Sequence, residues 1–426
     1  MNNHTEISAP LNMNIIKAIC LAAILVMGLV YFYPGFYLIN QIAATATPLL
    51  VLICAIVLNK KLVLDTWTTE VYIFLYFWIC YGIIGLIWTS DTRITLYYIR
   101  NIIIYLFSFV LITQLLRNQK YHKPAFLILQ FIFYSYCLIY LWEIFTLKHL
   151  SSSRLYEIQI PIPTGFYFNE NNSAVFMMLL APFLTVKTAI TKSKAGKIVA
   201  LLSFIFMIVI SAFQYSRLAL FFMLLMGIYY FIRAGLYLKI ISIIIIALSI
   251  IIFVKAFPEE FKLTKIIFNQ QVQSTLNESK SYYMTSSKIR NQLNIESMNL
   301  AIKSNLFGVG AGSYEIYLGN DRYHRTSWVL NPHNWWLELM ANFGLIIILG
   351  MIFIYMRWLY RLFQLRNSVK NSDFAIYDAC FISLLLFVPL SIVPSSIKSY
   401  YSLWVYFGLI HSVCICTPRS YSENKV

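Results

Sequence analysis

The sequence predicts an all-α, polytopic membrane protein. Three observations predict it: 60% of the 426 residues are apolar, only 12% are charged, and apolar runs long enough to cross a bilayer recur along the chain. The formal net charge of +16 raises the question of nucleic acid, but Lys and Arg fall at the ends of apolar runs and form no single basic face. The expected partner is the lipid bilayer, with no nucleic acid. All seven cysteines lie in or beside apolar runs without a CxxC pair, so neither a disulfide framework nor a zinc site follows.

Taken in order, the apolar runs give about twelve spans. They lie near residues 15–33, 36–58, 71–88, 96–116, 125–146, 173–186, 198–215, 218–232, 236–256, 335–357, 374–393 and 400–416. The polar start, residues 1–14, has neither a basic n-region nor a small-residue cleavage site, so the first run is expected to be an uncleaved span. Pro34-Gly35, charged connectors and Pro394 separate the runs. The chain thus divides into helices one to nine (residues 1–256), a polar loop domain with an amphipathic helix (257–334), and three final helices with a short tail (335–426).

Charge sets the expected orientation. Alternate connectors carry Lys60 and Lys61; Arg117, Lys120 and Lys123; Lys187, Lys192, Lys194 and Lys197; Arg233 and Lys239; and Arg357, Arg361, Arg366 and Lys370, whereas the connectors between them carry far fewer. The positive-inside bias then puts both termini in the cytoplasm and places residues 149–172 and 257–334 outside. ATP and nucleotide sugars are absent on that side. Chemistry there has to use a substrate that arrives already activated, and no cofactor is expected.

Four features stand out on that face. Spans seven and eight meet at Gln214-Tyr215-Ser216-Arg217. The eighth run of about fifteen residues reaches only about 22 Å, short of the ~30 Å hydrocarbon core. Arg217 therefore sits at the outer boundary, either snorkelling to water or paired with an anion. Ser286-Ser287-Lys288-Ile289-Arg290 opens a helix to about residue 304, with Ile289, Leu293 and Leu300 at near-helical spacing, its apolar side on the membrane surface or on the bundle. Arg290 in its first turn opposes the helix dipole, and reads as a solvated arginine or as one placed for a purpose.

Gly308-Val309-Gly310-Ala311-Gly312 has no preceding strand and no following Lys-Ser/Thr, so a close-packed turn is expected and a nucleotide loop is not. In Asn331-Pro332-His333, asparagine reads as an N-cap and proline as the first helical residue, which puts His333 in the first turn of the tenth span, either structural or a neutral base.

These residues together resemble the O-antigen ligase and polymerase family. The resemblance rests on Tyr215-Ser216-Arg217-Leu218-Ala219, on Ser287-Lys288-Ile289-Arg290, on Asn305-Leu306-Phe307-Gly308-Val309-Gly310-Ala311-Gly312-Ser313-Tyr314, on Pro332-His333-Asn334-Trp335-Trp336-Leu337-Glu338-Leu339, and on Phe343-Gly344-Leu345. Phe168-Asn169-Glu170-Asn171-Asn172 resembles the family's asparagine-rich segment.

The resemblance implies an inverting glycosyltransferase of the bacterial cytoplasmic membrane. Its donor would be a glycan on undecaprenyl pyrophosphate, and its acceptor a glycan or lipid A-core hydroxyl. Arg217 and Arg290 would neutralise the departing pyrophosphate, since a guanidinium fork suits phosphate oxygens. His333 would be the catalytic residue, with Asn334, Tyr215 and Asn172 as further substrate contacts, and no metal is expected because no Asp-x-Asp pair lies outside. A lipid-linked oligosaccharide flippase is the alternative. It would be expected to show ionisable residues deep within spans and two related halves, whereas this sequence shows few deep charges and no obvious repeat.

Overall fold

The computed structural model describes residues 65–117, 119–190, 194–214, 216–233, a few positions between 235 and 247, 286–320, 330–369, 372–392 and 401–416. The expected spans 15–33 and 36–58, most of 236–256, the first part of the polar loop and Tyr215 lie outside the described residues. Among those described, all regular structure is helical. The helices are α1 (Thr66–Ile84), α2 (Thr92–Leu115), α3 (His122–Thr146), α4 (Glu170–Ile190), α5 (Lys194–Phe213), α6 (Arg217–Arg233), α7 (Ser286–Lys303), α8 (Ser313–Asn320), α9 (Trp335–Ser368), α10 (Ser372–Leu390) and α11 (Tyr401–Ile415).

Among the described residues, four stretches are long and apolar enough to cross a membrane: Thr66–Ile87, Thr92–Leu115, Pro124–Thr146 and Trp335–Ser368. Leu201–Phe213, Leu218–Ile232, Phe374–Leu390 and Leu403–Ile415 form shorter apolar helices.

Local chemistry starts these helices where polar residues interrupt the apolar runs. Asp65 caps α1, its Oδ1 accepting from the Thr68 amide at 2.8 Å, and Asp91 caps α2, accepting from the amides of Arg93 at 2.8 Å and Ile94 at 3.1 Å. The hairpin between α5 and α6 is as tight as the sequence predicts, with α5 ending at Phe213 and α6 opening at Arg217.

Packing couples helices far apart in sequence. Small residues let backbones approach: a Cβ on Gly408 of α11 would meet the Phe109 carbonyl oxygen of α2 at 2.8 Å, and Thr113 Oγ1 donates to the Gly408 carbonyl at 3.3 Å. Beside them Trp78, Trp358, Trp404 and Phe407 fill the centre, each at most 2% exposed. Helix α10 lies on α4, joined by Ser383 Oγ donating to the Leu179 carbonyl at 2.7 Å.

Three arginines pair with carboxylates at one end of the bundle. Arg117 pairs with Asp65 at 3.1 Å, Arg366 with Asp378 at 2.9 Å, and Arg357 with Glu70. Burial alone would raise the Asp65 carboxyl, but the Thr68 amide and hydroxyl and the Arg117 guanidinium outweigh it and hold the pKa below the usual carboxylate value.

The expected tenth span requires correction. It runs on to Ser368, past the predicted end at 357, and it is broken at Gly344, where φ is 76° and ψ is −175°. The piece from 335 to 343 is thus separate in direction from the piece that follows. No sequence period marks the break, because both pieces are apolar and glycine inside an apolar helix is ordinarily tolerated.

Candidate functional site at the end of the bundle opposite Arg117, Arg357 and Arg366

Helix direction decides which candidates share an end. Tyr229, late in α6, donates to Asp378, early in α10, at 2.8 Å, so α6 and α10 run antiparallel. The start of α6, Arg217, therefore lies at the end where α10 finishes. There the Trp335 amide donates to the Ser391 carbonyl at 2.9 Å and Trp336 Nε1 to Ser391 Oγ at 2.8 Å, which brings the start of α9, and His333 with it, to the same end.

Asn172 joins them through a chain of contacts. Gln214, three residues before Arg217, donates from Nε2 to the Pro163 carbonyl at 3.2 Å, and the segment that follows Pro163 leads into α4. Asn169 Oδ1 accepts the Asn172 amide at 2.8 Å, so Asn172 sits in the first turn of α4, 5% exposed.

The segment before α4 is held by a residue that the sequence reading passed over. The Glu143 carboxylate, fully buried near the end of α3, accepts from the Thr164 amide at 2.9 Å, Thr164 Oγ1 at 3.1 Å and the Gly165 amide at 2.7 Å, and meets His149 Nδ1 at 3.2 Å. Removing one carboxylate would strand four partners. Its signal was a lone acidic residue inside an apolar run.

Helix α7 matches the predicted bounds. Leu293, Ser297 and Ala301 are fully buried along one face, and Arg290 lies on that face one turn earlier. It is half-buried, which is not the position of an arginine on the solvated side. Leu293 packs with Tyr314, Leu318 and Ala341, and Ile289 and Leu330 close over the same cluster. Arg290 follows Ile289 directly and His333 comes three residues after Leu330, so the two candidates flank one small core.

The start of α9 corrects the expected capping. The N-cap is Asn334, whose Oδ1 accepts from the amides of Trp336 at 3.2 Å and Leu337 at 3.3 Å, and the helix begins at Trp335. Asn331 instead accepts the His333 amide at 3.0 Å in a local turn, and Pro332 is buried outside the helix. His333 precedes the cap in the left-handed region, φ 50°, half-buried. Two asparagines three residues apart offer the same cap chemistry, and only the fold selects between them. Asn334, expected as a substrate contact, has its side-chain oxygen committed to the helix.

The glycine loop is the close-packed turn that its sequence predicts. The break at Gly344 leaves the carbonyls of Ala341 and Asn342 and the amide of Leu345 without helical partners. The Val309 amide donates to Ala341 at 2.8 Å, the Gly310 amide to Asn342 at 3.1 Å, and the Leu345 amide to the Leu306 carbonyl at 2.8 Å. Gly308 and Gly344 permit the approach: a Cβ on Gly308 would meet the Gly344 nitrogen at 2.6 Å, and one on Gly344 the Leu306 oxygen at 2.3 Å.

Behind this turn Tyr98 of α2 donates to Glu338 Oε1 at 2.6 Å, each residue 3% exposed. Tyr314 donates from its hydroxyl to the Leu293 carbonyl at 3.0 Å and from its amide to Asn342 Oδ1 at 3.2 Å. Burial pushes the Tyr314 hydroxyl above the usual phenol range, with Glu338, Glu296 and Glu315 adding to the shift, so it stays a donor. Tyr98 and Glu338 lie 240 residues apart, and no local pattern pairs them.

The sequence matches known proteins over these same elements. The family model described as O-antigen ligase matches residues 199–355, from α5 to the middle of α9, and so takes in Arg217, Arg290, the glycine loop and His333. The teichuronic acid biosynthesis protein TuaE of Bacillus subtilis (strain 168) is 26% identical over 363 residues, covering 82% of this chain and 72% of the relative. The family that the ordered motifs resemble is thus the one whose O-antigen ligase model matches residues 199–355.

Proposed function

We propose that this protein transfers a glycan from undecaprenyl pyrophosphate to an acceptor hydroxyl at the outer face of the cytoplasmic membrane, as a ligase or repeat-unit polymerase. The matched domain and the teichuronic acid relative support the broader reading of a membrane glycan ligase or polymerase in surface polysaccharide synthesis. The observation that carries the finer one is the convergence of the starts of α6 and α9 with the Arg290 face of α7 at the bundle end opposite Arg117, Arg357 and Arg366. The basic connectors that carry Arg117, Arg357 and Arg366 read as cytoplasmic, and this supports the candidate end as the outer one.

In this reading the acceptor oxygen attacks the anomeric carbon as the bond from that carbon to the pyrophosphate oxygen breaks. Attack comes from the face opposite the leaving group and inverts the configuration. His333 takes the acceptor proton. Arg217 and Arg290 offset the charge that develops on the departing pyrophosphate, where a planar fork binds two oxygens at once. Held by the local turn at Asn331 and the cap at Asn334, His333 is fixed from both sides along the chain. Asn172, Tyr215 and the Asn334 side-chain amide are the proposed sugar contacts.

The test uses purified full-length protein in liposomes with a lipid-pyrophosphate glycan and an acceptor glycan, without nucleotide and with excess chelator. Glycan joined to acceptor with inverted linkage supports the proposal. Passage of the lipid-linked glycan across the bilayer with no new glycosidic bond would instead establish the transporter alternative.

A further inference from the structure

Helix α7 has three faces at 3.6 residues per turn. The inward face carries Ile289, Leu293, Ser297 and Ala301 against α8 and α9. A polar face carries Gln292, Glu296, Asn299 and Lys303, with Gln292 Nε2 donating to Glu296 Oε1 at 2.7 Å. Between them runs a second apolar stripe: Ile295, Met298 and Ile302 are 45%, 47% and 61% exposed. The chain just beyond extends it, with Leu306 at 40% and Phe307 at 63%.

The neighbouring elements say what covers this stripe. Tyr81 donates from its hydroxyl to the Phe307 carbonyl at 2.7 Å, and Trp88 Nε1 donates to the Gly308 carbonyl at 2.9 Å. Tyr81 lies in the last turns of the Thr66–Ile87 span and Trp88 directly follows it, where Ile83, Ile84 and Ile87 are 48%, 51% and 84% exposed. That apolar surface belongs to a membrane-crossing helix, and the stripe continues it. Tyrosine and tryptophan with an apolar body and a bonded polar tip are the side chains that the boundary between acyl chains and headgroups selects.

We propose that Ile295, Met298, Ile302, Leu306 and Phe307 seat α7 in the lipid leaflet at the candidate-site end, with acyl chains as their occupant. A helix lying in the interface plane buries one apolar face and keeps a polar face in water, which is the pattern on the outward side of α7. Resting on the transferase reading, the seating has a further consequence: Arg290, on the inward face, is held at headgroup depth, where the pyrophosphate of a lipid-linked donor lies.

Photo-crosslinking tests the seating in the full-length protein in its membrane. p-Benzoylphenylalanine replaces Ile302 or Phe307 singly, with Asn299 on the polar face as control, and adducts are identified by mass spectrometry on protein that elutes as a folded species. Phospholipid adducts at 302 and 307, several-fold above those at 299, are expected. Adducts to a second copy of this chain or to another protein, or lipid yield no higher than at 299, would overturn the proposal. The readout involves no glycan transfer, so lipid adducts in a protein that fails the liposome assay would leave the seating intact and remove the transferase reading.

Discussion

The hydroxyl of Tyr98 donates to the Glu338 carboxylate across 2.6 Å, joining the start of the second described helix to the first turn of the helix that follows His333. A carboxylate this buried needs its donors, because an unmet partner costs about 1–3 kcal/mol. Tyr98→Phe is therefore expected to lower stability by about 1–3 kcal/mol, read as an earlier thermal transition in detergent. An unchanged transition would mean that water or another group already satisfies Glu338.

The break in α9 gives a second expectation. Gly344→Ala and Gly308→Ala each drive a methyl into backbone, so each is expected to cost at least about 1–3 kcal/mol and to reduce the yield of folded protein. Gly319→Ala is the control, because its nearest neighbour, Leu330 Cδ1, lies at an ordinary 3.6 Å. Comparable yields for all three would show that the glycine loop does not need its close approach to Gly344.

His333 requires a variant that respects its backbone. At φ 50° alanine carries a strain of about 1–2 kcal/mol, whereas asparagine visits this region readily. His333→Asn is thus expected to keep folded protein while lowering transfer about 10²–10⁴-fold, the range for a general base. Transfer near normal in the asparagine variant would take His333 out of the chemistry.

Arg217→Lys and Arg290→Lys keep the charge and lose the fork. Each is expected to lower glycan transfer by an order of magnitude or more, about 1.4 kcal/mol of transition-state stabilisation, with membrane insertion unchanged. Full transfer in both lysine variants would show that neither guanidinium clamps the pyrophosphate.

Topology is open to a direct measurement. A reporter fused after Lys194 is expected to behave as cytoplasmic and one near Lys280 as external. The reverse pattern would put the candidate site where nucleotides are available and would overturn the reading of an activated lipid donor.

The sequence by itself determined the helical membrane class, most helix bounds among the described residues and the candidates Arg217, Arg290 and His333. Apolar length, charge at run ends and short motifs are local signals, and a bilayer imposes helix on any long apolar run. Tertiary structure alone decided that Asn334 rather than Asn331 caps α9, since both offer the same side chain and the fold fixes which one meets free amides. It alone decided the break at Gly344, which exists because the glycine loop, more than thirty residues earlier, supplies the hydrogen bonds that the helix gives up. It also decided the pairing of Tyr98 with Glu338, a contact across 240 residues that no periodicity encodes. Local chemistry sets what each segment prefers, and only packing between distant segments settles which buried polar groups find one another.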